Sequence, residues 1–158
     1  MPRHPERSKE IAELASKYDF GVVFRSAEQP VTDRSPIVIC DKLGELRALY
    51  GLGSIALIGG TLVDHGGHNP LEPSAWGAAL VAGPSQRNFS DIFDALEASG
   101  AMLRIEPNAG SLKQGLSGLL ASRERTKAAG DAAKSYLDKN RGATLKNIEL
   151  LQRLIGLD

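Results

Sequence analysis

One stretch, IALIGGTLVDHGGHNPLEP at residues 55–73, constrains the fold more than any other part of the chain. Its four leading apolar residues stop at Gly59-Gly60, a pattern that predicts a short buried strand followed by bare backbone. Pro70, directly behind Asn69, predicts that a helix opens there. A strand broken by glycines, with a helix start close behind, sets unsatisfied N–H groups at the carboxyl edge of a sheet. In open α/β sheets that edge is where ligands bind, and phosphates favour helix N-termini.

Further short apolar runs at residues 20–24, 37–40, 79–82 and 102–105 predict four more strands. Helices are expected over residues 5–18, with Ile11, Leu14, Ala15 and Tyr18 inward, and over 44–50, with Leu46, Leu49 and Tyr50 inward. Another runs from Pro70 to near Gly77. A fourth, capped by Asn88 and reaching Ser99, presents Ile92, Phe93 and Leu96 on one face. Beyond Gly110 the spacing is helical throughout, with one stripe at Leu112, Leu116, Leu119 and Leu120 and another at Leu145, Ile148, Leu151, Leu154 and Ile155. The charged residues between 123 and 141 read as a solvated helical face. Strands alternating with helices predict an α/β fold, Rossmann-like, with a parallel sheet and helices on both faces. The expectation is one domain over residues 1–158, with a sheet core at 1–109 and helices at 110–158.

Charge narrows the partners. Nineteen basic residues balance nineteen acidic ones, and aromatics make up only 5%, so neither a polyanion-binding face nor a base-stacking platform is indicated. The single cysteine, Cys40, ends an apolar run and reads as a small buried hydrophobe rather than a nucleophile. No apolar run approaches the ~20 residues of a membrane span. The chain begins abruptly on a motif-like segment, Pro2 to Arg7, which leads us to expect an excised part of a larger protein.

Several polar groups converge on the glycine-rich stretch. Asn69, Pro70 and Glu72 fit a capping box without any ligand; alternatively, Glu72 accepts hydrogen bonds from a ribose diol while the helix start faces a phosphate. Asp64, His65 and His68 lack zinc-site spacing and a cysteine partner, so no metal is expected. His68 reads either as a loop histidine bonded to local backbone or as a donor beside a phosphate. Arg3, His4 and Arg7 form a basic cluster that is either terminal surface charge or a phosphate fork. Gly44-Glu45 opens a second helix, with Glu45 favourable near its positive end. The loop from Ser85 to Asn88 would lie at the same edge. Neither a nucleophile elbow nor the usual dinucleotide and P-loop glycine signatures are present.

Taken together, Pro2-Arg3-His4-Pro5-Glu6-Arg7, Gly44-Glu45-Leu46 with Leu49-Tyr50, Gly59-Gly60 with Gly66-Gly67-His68-Asn69-Pro70-Leu71-Glu72-Pro73, and Gly83-Pro84 with Asn88-Phe89 resemble one family. The order and rough spacing are similar to the C-terminal half of 3-deoxy-D-manno-oct-2-ulosonic acid (Kdo) transferases. The match runs from residue 2 to about 94.

The resemblance implies the C-terminal half of a two-domain GT-B glycosyltransferase. Such a domain binds the CMP part of CMP-Kdo, while an N-terminal domain receives a lipid A precursor and supplies the general base. Transfer takes place at the cytoplasmic side of the bacterial inner membrane, with no metal and no cofactor, CMP-Kdo being a substrate. The donor site maps onto Arg3, His4, Gly44, Glu45, His68, Asn69 and Glu72, beside the bare backbone of Gly59 and Gly60. A chain without the N-terminal domain is expected to hold CMP but not to transfer sugar. Two departures stand out: Thr61 replaces the family's serine and keeps its hydroxyl, and Lys42-Leu43 replaces the residues usual before the Gly44-Glu45-Leu46 turn.

Overall fold

The computed structural model describes residues 5–28, 30–32, 37–87, 89–142, 148 and 151–154. All five expected strands are there: β1 (Val22–Phe24), β2 (Ile37–Ile39), β3 (Ile55–Leu57), β4 (Ala79–Ala82) and β5 (Met102–Arg104). Every pairing among them is parallel, in two ladders, β1–β2 and β3–β4–β5. The α/β architecture is therefore the one the alternating pattern predicts. The chain packs as two compact units, residues 1–49 and 50–158.

In the first unit, α1 (Ser8–Ser16) follows a 3-10 turn at Pro5–Arg7 and packs on β1 and β2. The expected inward stripe is only partly used. Ala15 is buried, whereas Leu14 and Tyr18 are 56% and 70% exposed. Two three-residue strands offer a narrow floor, and one line of a helix covers it. Helix α2 (Leu46–Leu49) closes this unit, and a 3-10 turn at Tyr50–Leu52 opens the next.

The second unit is built around β4, whose four residues are all buried. Leu80 and Ala82 face a cluster with Phe93 and Leu96 of α4 (Ser90–Ala98) and Ala133 of α6 (Arg123–Lys139). Ala79 and Val81 face the opposite cluster, with Leu112, Leu116 and Leu119 of α5 (Ala109–Leu120). Period-two alternation along one strand thus serves two helical layers. Ile92, Phe93 and Leu96 share the inner face of α4 as expected, but Leu120 at the end of α5 is 75% exposed. Asn88, the expected cap of α4, lies outside the described residues, and Phe89 at the cap position makes no side-chain cap bond.

Three helices hand over to strands by the same device. After α1, α3 (Leu71–Ser74) and α4, a left-handed residue turns the chain: Asp19 (φ 59°), Gly77 (φ 71°) and Gly100 (φ 75°). The N–H of the next residue then reaches back five positions, as in Phe20 to the Ala15 carbonyl, Ala78 to Pro73 and Ala101 to Leu96. These are Schellman closures, which satisfy the last helical carbonyls and aim the chain at the sheet.

Helix α6 corrects the sequence reading. Its charged residues do face solvent, but Thr126, Gly130 and Ala133 are buried, and the helix packs against β4. Gly130 lies so close to the Gly77 turn that a Cβ there would sit 1.9 Å from the Gly77 carbonyl oxygen. In the last stripe, Leu145 and Ile155 lie outside the described residues. Ile148, Leu151 and Leu154 are exposed, so core packing does not account for them. Among the described residues no helix is long and apolar enough to cross a membrane.

The Gly130 contact reverses an ordinary rule. Glycine to alanine in a helix interior normally gains close to ~1 kcal/mol. Here Gly130→Ala is expected to lose about 2 kcal/mol or more through overlap with the Gly77 carbonyl. Urea unfolding checks this, and an unchanged or raised midpoint would contradict the packing.

Candidate functional site

Beyond β3 the chain leaves the sheet at Ile58 and returns to helical structure at Leu71. The intervening loop, residues 59–68, closes on itself: the His68 N–H donates to the Gly59 carbonyl at 3.0 Å and the Gly67 N–H to Gly60 at 3.2 Å. Ends this close, on a loop of this length, make a compact Ω-type loop. Gly60 (φ 74°) and Gly67 (φ 73°) take left-handed conformations that cost any other residue strain. Gly67 is also hemmed in, since a Cβ would lie 3.1 Å from both the Ser85 carbonyl oxygen and Thr61 Cγ2.

Thr61 anchors this loop from within. Fully buried, its hydroxyl donates to the Ile58 carbonyl at 2.6 Å and accepts the Gly83 N–H at 2.9 Å. The Thr61 carbonyl accepts the Ser85 N–H at 3.0 Å. Gly83 permits the approach, because a Cβ there would lie 2.4 Å from the Thr61 oxygen.

His68 itself is exposed, with its ring edge against Gly59 and Gly60: Cδ2 lies 3.5 and 3.4 Å from where their Cβ atoms would be. Among the described residues the Gly59 and Gly60 N–H groups have no acceptor. An imidazole edge and two open backbone donors make a surface suited to an anionic oxygen.

Asn69 and Glu72 follow directly. Asn69 Oδ1 accepts the Leu71 N–H at 3.0 Å, so Asn69, one residue ahead of the Pro70 cap position, bonds the first N–H of α3. The reciprocal half of the capping box is not made, and among the described residues Glu72 has neither hydrogen-bond nor ion-pair partner. Its carboxylate stays exposed. Tyr50, half-buried on the 3-10 turn that packs against α3, senses it: burial first, then the Glu72 charge, raise the phenol above its ordinary range.

Gly44 and Glu45 belong to the first unit. Gly44 is left-handed (φ 86°) in open space, and the Glu45 carbonyl accepts the N–H groups of Ala48 and Leu49, starting α2. The Glu45 carboxylate pairs with Arg25 at 3.2 Å, a partner that its spacing in the chain did not reveal. Beside them Asp41 accepts the Ser26 N–H at 2.9 Å, and the Ser26 hydroxyl holds that carboxyl below the ordinary aspartate range. Arg3 and His4 lie outside the described residues. Asp64, read with the histidines, instead pairs with Arg87 at 2.7 Å. Among the described residues no three His, Cys, Asp or Glu side chains are grouped to hold a metal.

No family model matches the chain. Individual relatives do. The 3-deoxy-D-manno-octulosonic acid transferase of Haemophilus influenzae is 37% identical over 152 residues, 96% of this chain and 36% of that protein. The Bordetella pertussis transferase is 31% identical over 160 residues, again covering 36% of its length. The crystal structure of the C-terminal CMP-Kdo binding domain of WaaA from Acinetobacter baumannii superposes with a TM-score of 0.79 at 31% identity, covering 87% of this chain and 71% of that one. The chain belongs to the 3-deoxy-D-manno-octulosonic acid transferase family. It spans 36% of the length of these two curated relatives.

In this Kdo transferase family chain, Thr61 uses every part of its side chain. The hydroxyl makes both bonds, and the extra methyl packs against Gly67. Sequence reasoning did not find the ties made by Thr61, Ser85 and Arg87, because each joins segments about twenty residues apart. Thr61→Val, of the same shape, leaves the Ile58 carbonyl and Gly83 N–H unpaired and is expected to cost ~2–3 kcal/mol. Thr61→Ser should cost less than ~1.5 kcal/mol, the value of a lost methyl. A Thr61→Val loss no larger than that of Thr61→Ser, measured by denaturant unfolding, would contradict the role given to the hydroxyl.

Proposed function

We propose that residues 1–158 act as one donor-binding domain, the C-terminal half of a GT-B glycosyltransferase that moves Kdo from CMP-Kdo to a lipid A precursor. The work is done at the cytoplasmic face of a bacterial inner membrane. The observation that carries this reading is the likeness to a solved CMP-Kdo binding domain, at 31% identity over most of the chain. Loop 59–68 and its exposed neighbour Glu72, unpaired among the described residues, support it physically.

In this reading the nucleotide phosphate sits against His68 and the open N–H groups of Gly59 and Gly60. Glu72 accepts from the ribose diol, and Asn69 shapes the turn that presents it. The donors face charge that grows as CMP departs, which is where fixed dipoles lower a barrier most. The acceptor hydroxyl loses its proton to a carboxylate contributed by the acceptor-binding half. No metal or cofactor takes part. Transfer requires both halves, so this chain alone binds CMP without turnover.

Calorimetric titration of the chain tests the reading. CMP should bind, weakly, and more tightly than UDP. Glu72→Ala should weaken CMP at least ten-fold, the value of ~1.5 kcal/mol or more for hydrogen bonds to a charged group. Its melting temperature should hold, since Glu72 supports no other described residue. Preference for UDP would point to another nucleotide sugar, and an unchanged Glu72→Ala affinity would remove Glu72 from the site.

A further inference from the structure

The loop after β4 holds the loop after β3 at three places. The first is Thr61, through the Gly83 and Ser85 N–H groups. The second is Gly66, whose buried N–H donates to Ser85 Oγ at 3.0 Å. The third is Asp64, which receives Arg87 on its carboxylate at 2.7 Å and on its carbonyl at 3.2 Å. Ser85 Oγ also lies 3.5 Å from Asp64 Oδ1, within reach of donating to it.

These contacts differ in weight. Arg87 and Asp64 are 68% and 82% exposed, and ion pairs so placed contribute little. The Ser85 bond is different, because it satisfies a buried N–H with no other partner among the described residues. It also falls at a decisive place. Gly66 (φ 79°) and Gly67 (φ 73°) are consecutive left-handed glycines, the part of the loop with the most alternative conformations. They immediately precede His68. An anchor on the first of the pair limits where the histidine can go.

We infer that Ser85 is a positioning residue for this site: its hydroxyl fixes Gly66, and through the glycine pair it holds the His68 ring against Gly59 and Gly60. The inference rests on the nucleotide-binding reading of loop 59–68 and assigns Ser85 no contact with the ligand. Ser85→Ala removes the anchor without touching the sheet, and Ser85→Thr restores it.

The test compares wild type, Ser85→Ala and Ser85→Thr by amide hydrogen exchange and by calorimetric titration with CMP. Ser85→Ala should exchange the Gly66 and His68 amides at least ten-fold faster while Leu80 and Val81 in β4 keep wild-type rates. It should bind CMP at least five-fold more weakly, and Ser85→Thr should recover both. Unchanged exchange at Gly66 and His68 would overturn the inference, as would faster exchange with wild-type affinity. If the wild-type chain binds no CMP, the nucleotide reading fails separately, and exchange alone then decides whether Ser85 holds the loop.

Discussion

The Thr61 hydroxyl lies where two peptide groups would otherwise be buried without partners, the Ile58 carbonyl at the end of β3 and the Gly83 N–H just past β4. Leaving either unpaired costs more than an ordinary hydrogen bond gains, so the hydroxyl sets the depth at which the two loops meet. Everything later in the site inherits that placement. The Thr61 carbonyl seats Ser85, Ser85 seats Gly66, and the glycine pair delivers His68 back to Gly59. A chain of local bonds thus converts one buried position into the location of an exposed imidazole.

Glycine supplies the other half of the constraint. Gly83 leaves no space for a Cβ and Gly67 only a tight one, and Gly60, Gly66 and Gly67 adopt left-handed backbone. The loop is shaped by what is absent from its side chains. An anionic group placed there would meet geometry already formed before binding, which keeps the ordering cost low.

Much of this was legible in the sequence. The buried run of β4, the glycine break after β3 and the Asn69-Pro70 helix start are local signals, and each element appeared where its pattern placed it. Long-range pairings were not legible. Arg25 meets Glu45, and Ser85 meets Gly66, only once the strands between them have paired. Small residues hid the role of α6, since Thr126, Gly130 and Ala133 make no apolar stripe, yet they form its buried face. The converse held for Leu14, Tyr18 and Leu120, which fit a stripe by spacing but found no surface to cover. The capping box failed by half: Asn69 serves the helix, while Glu72 remains free among the described residues.

A carboxylate with no partner among the described residues, and two backbone donors likewise open, are the features of this structure that suit a ligand. Amide chemical-shift mapping during a CMP titration tests this most directly. The account requires the largest shifts at Gly59, Gly60, His68, Asn69 and Glu72. Shifts concentrated elsewhere in the second unit, such as around Trp76 and Leu120, with these five unmoved, would contradict it.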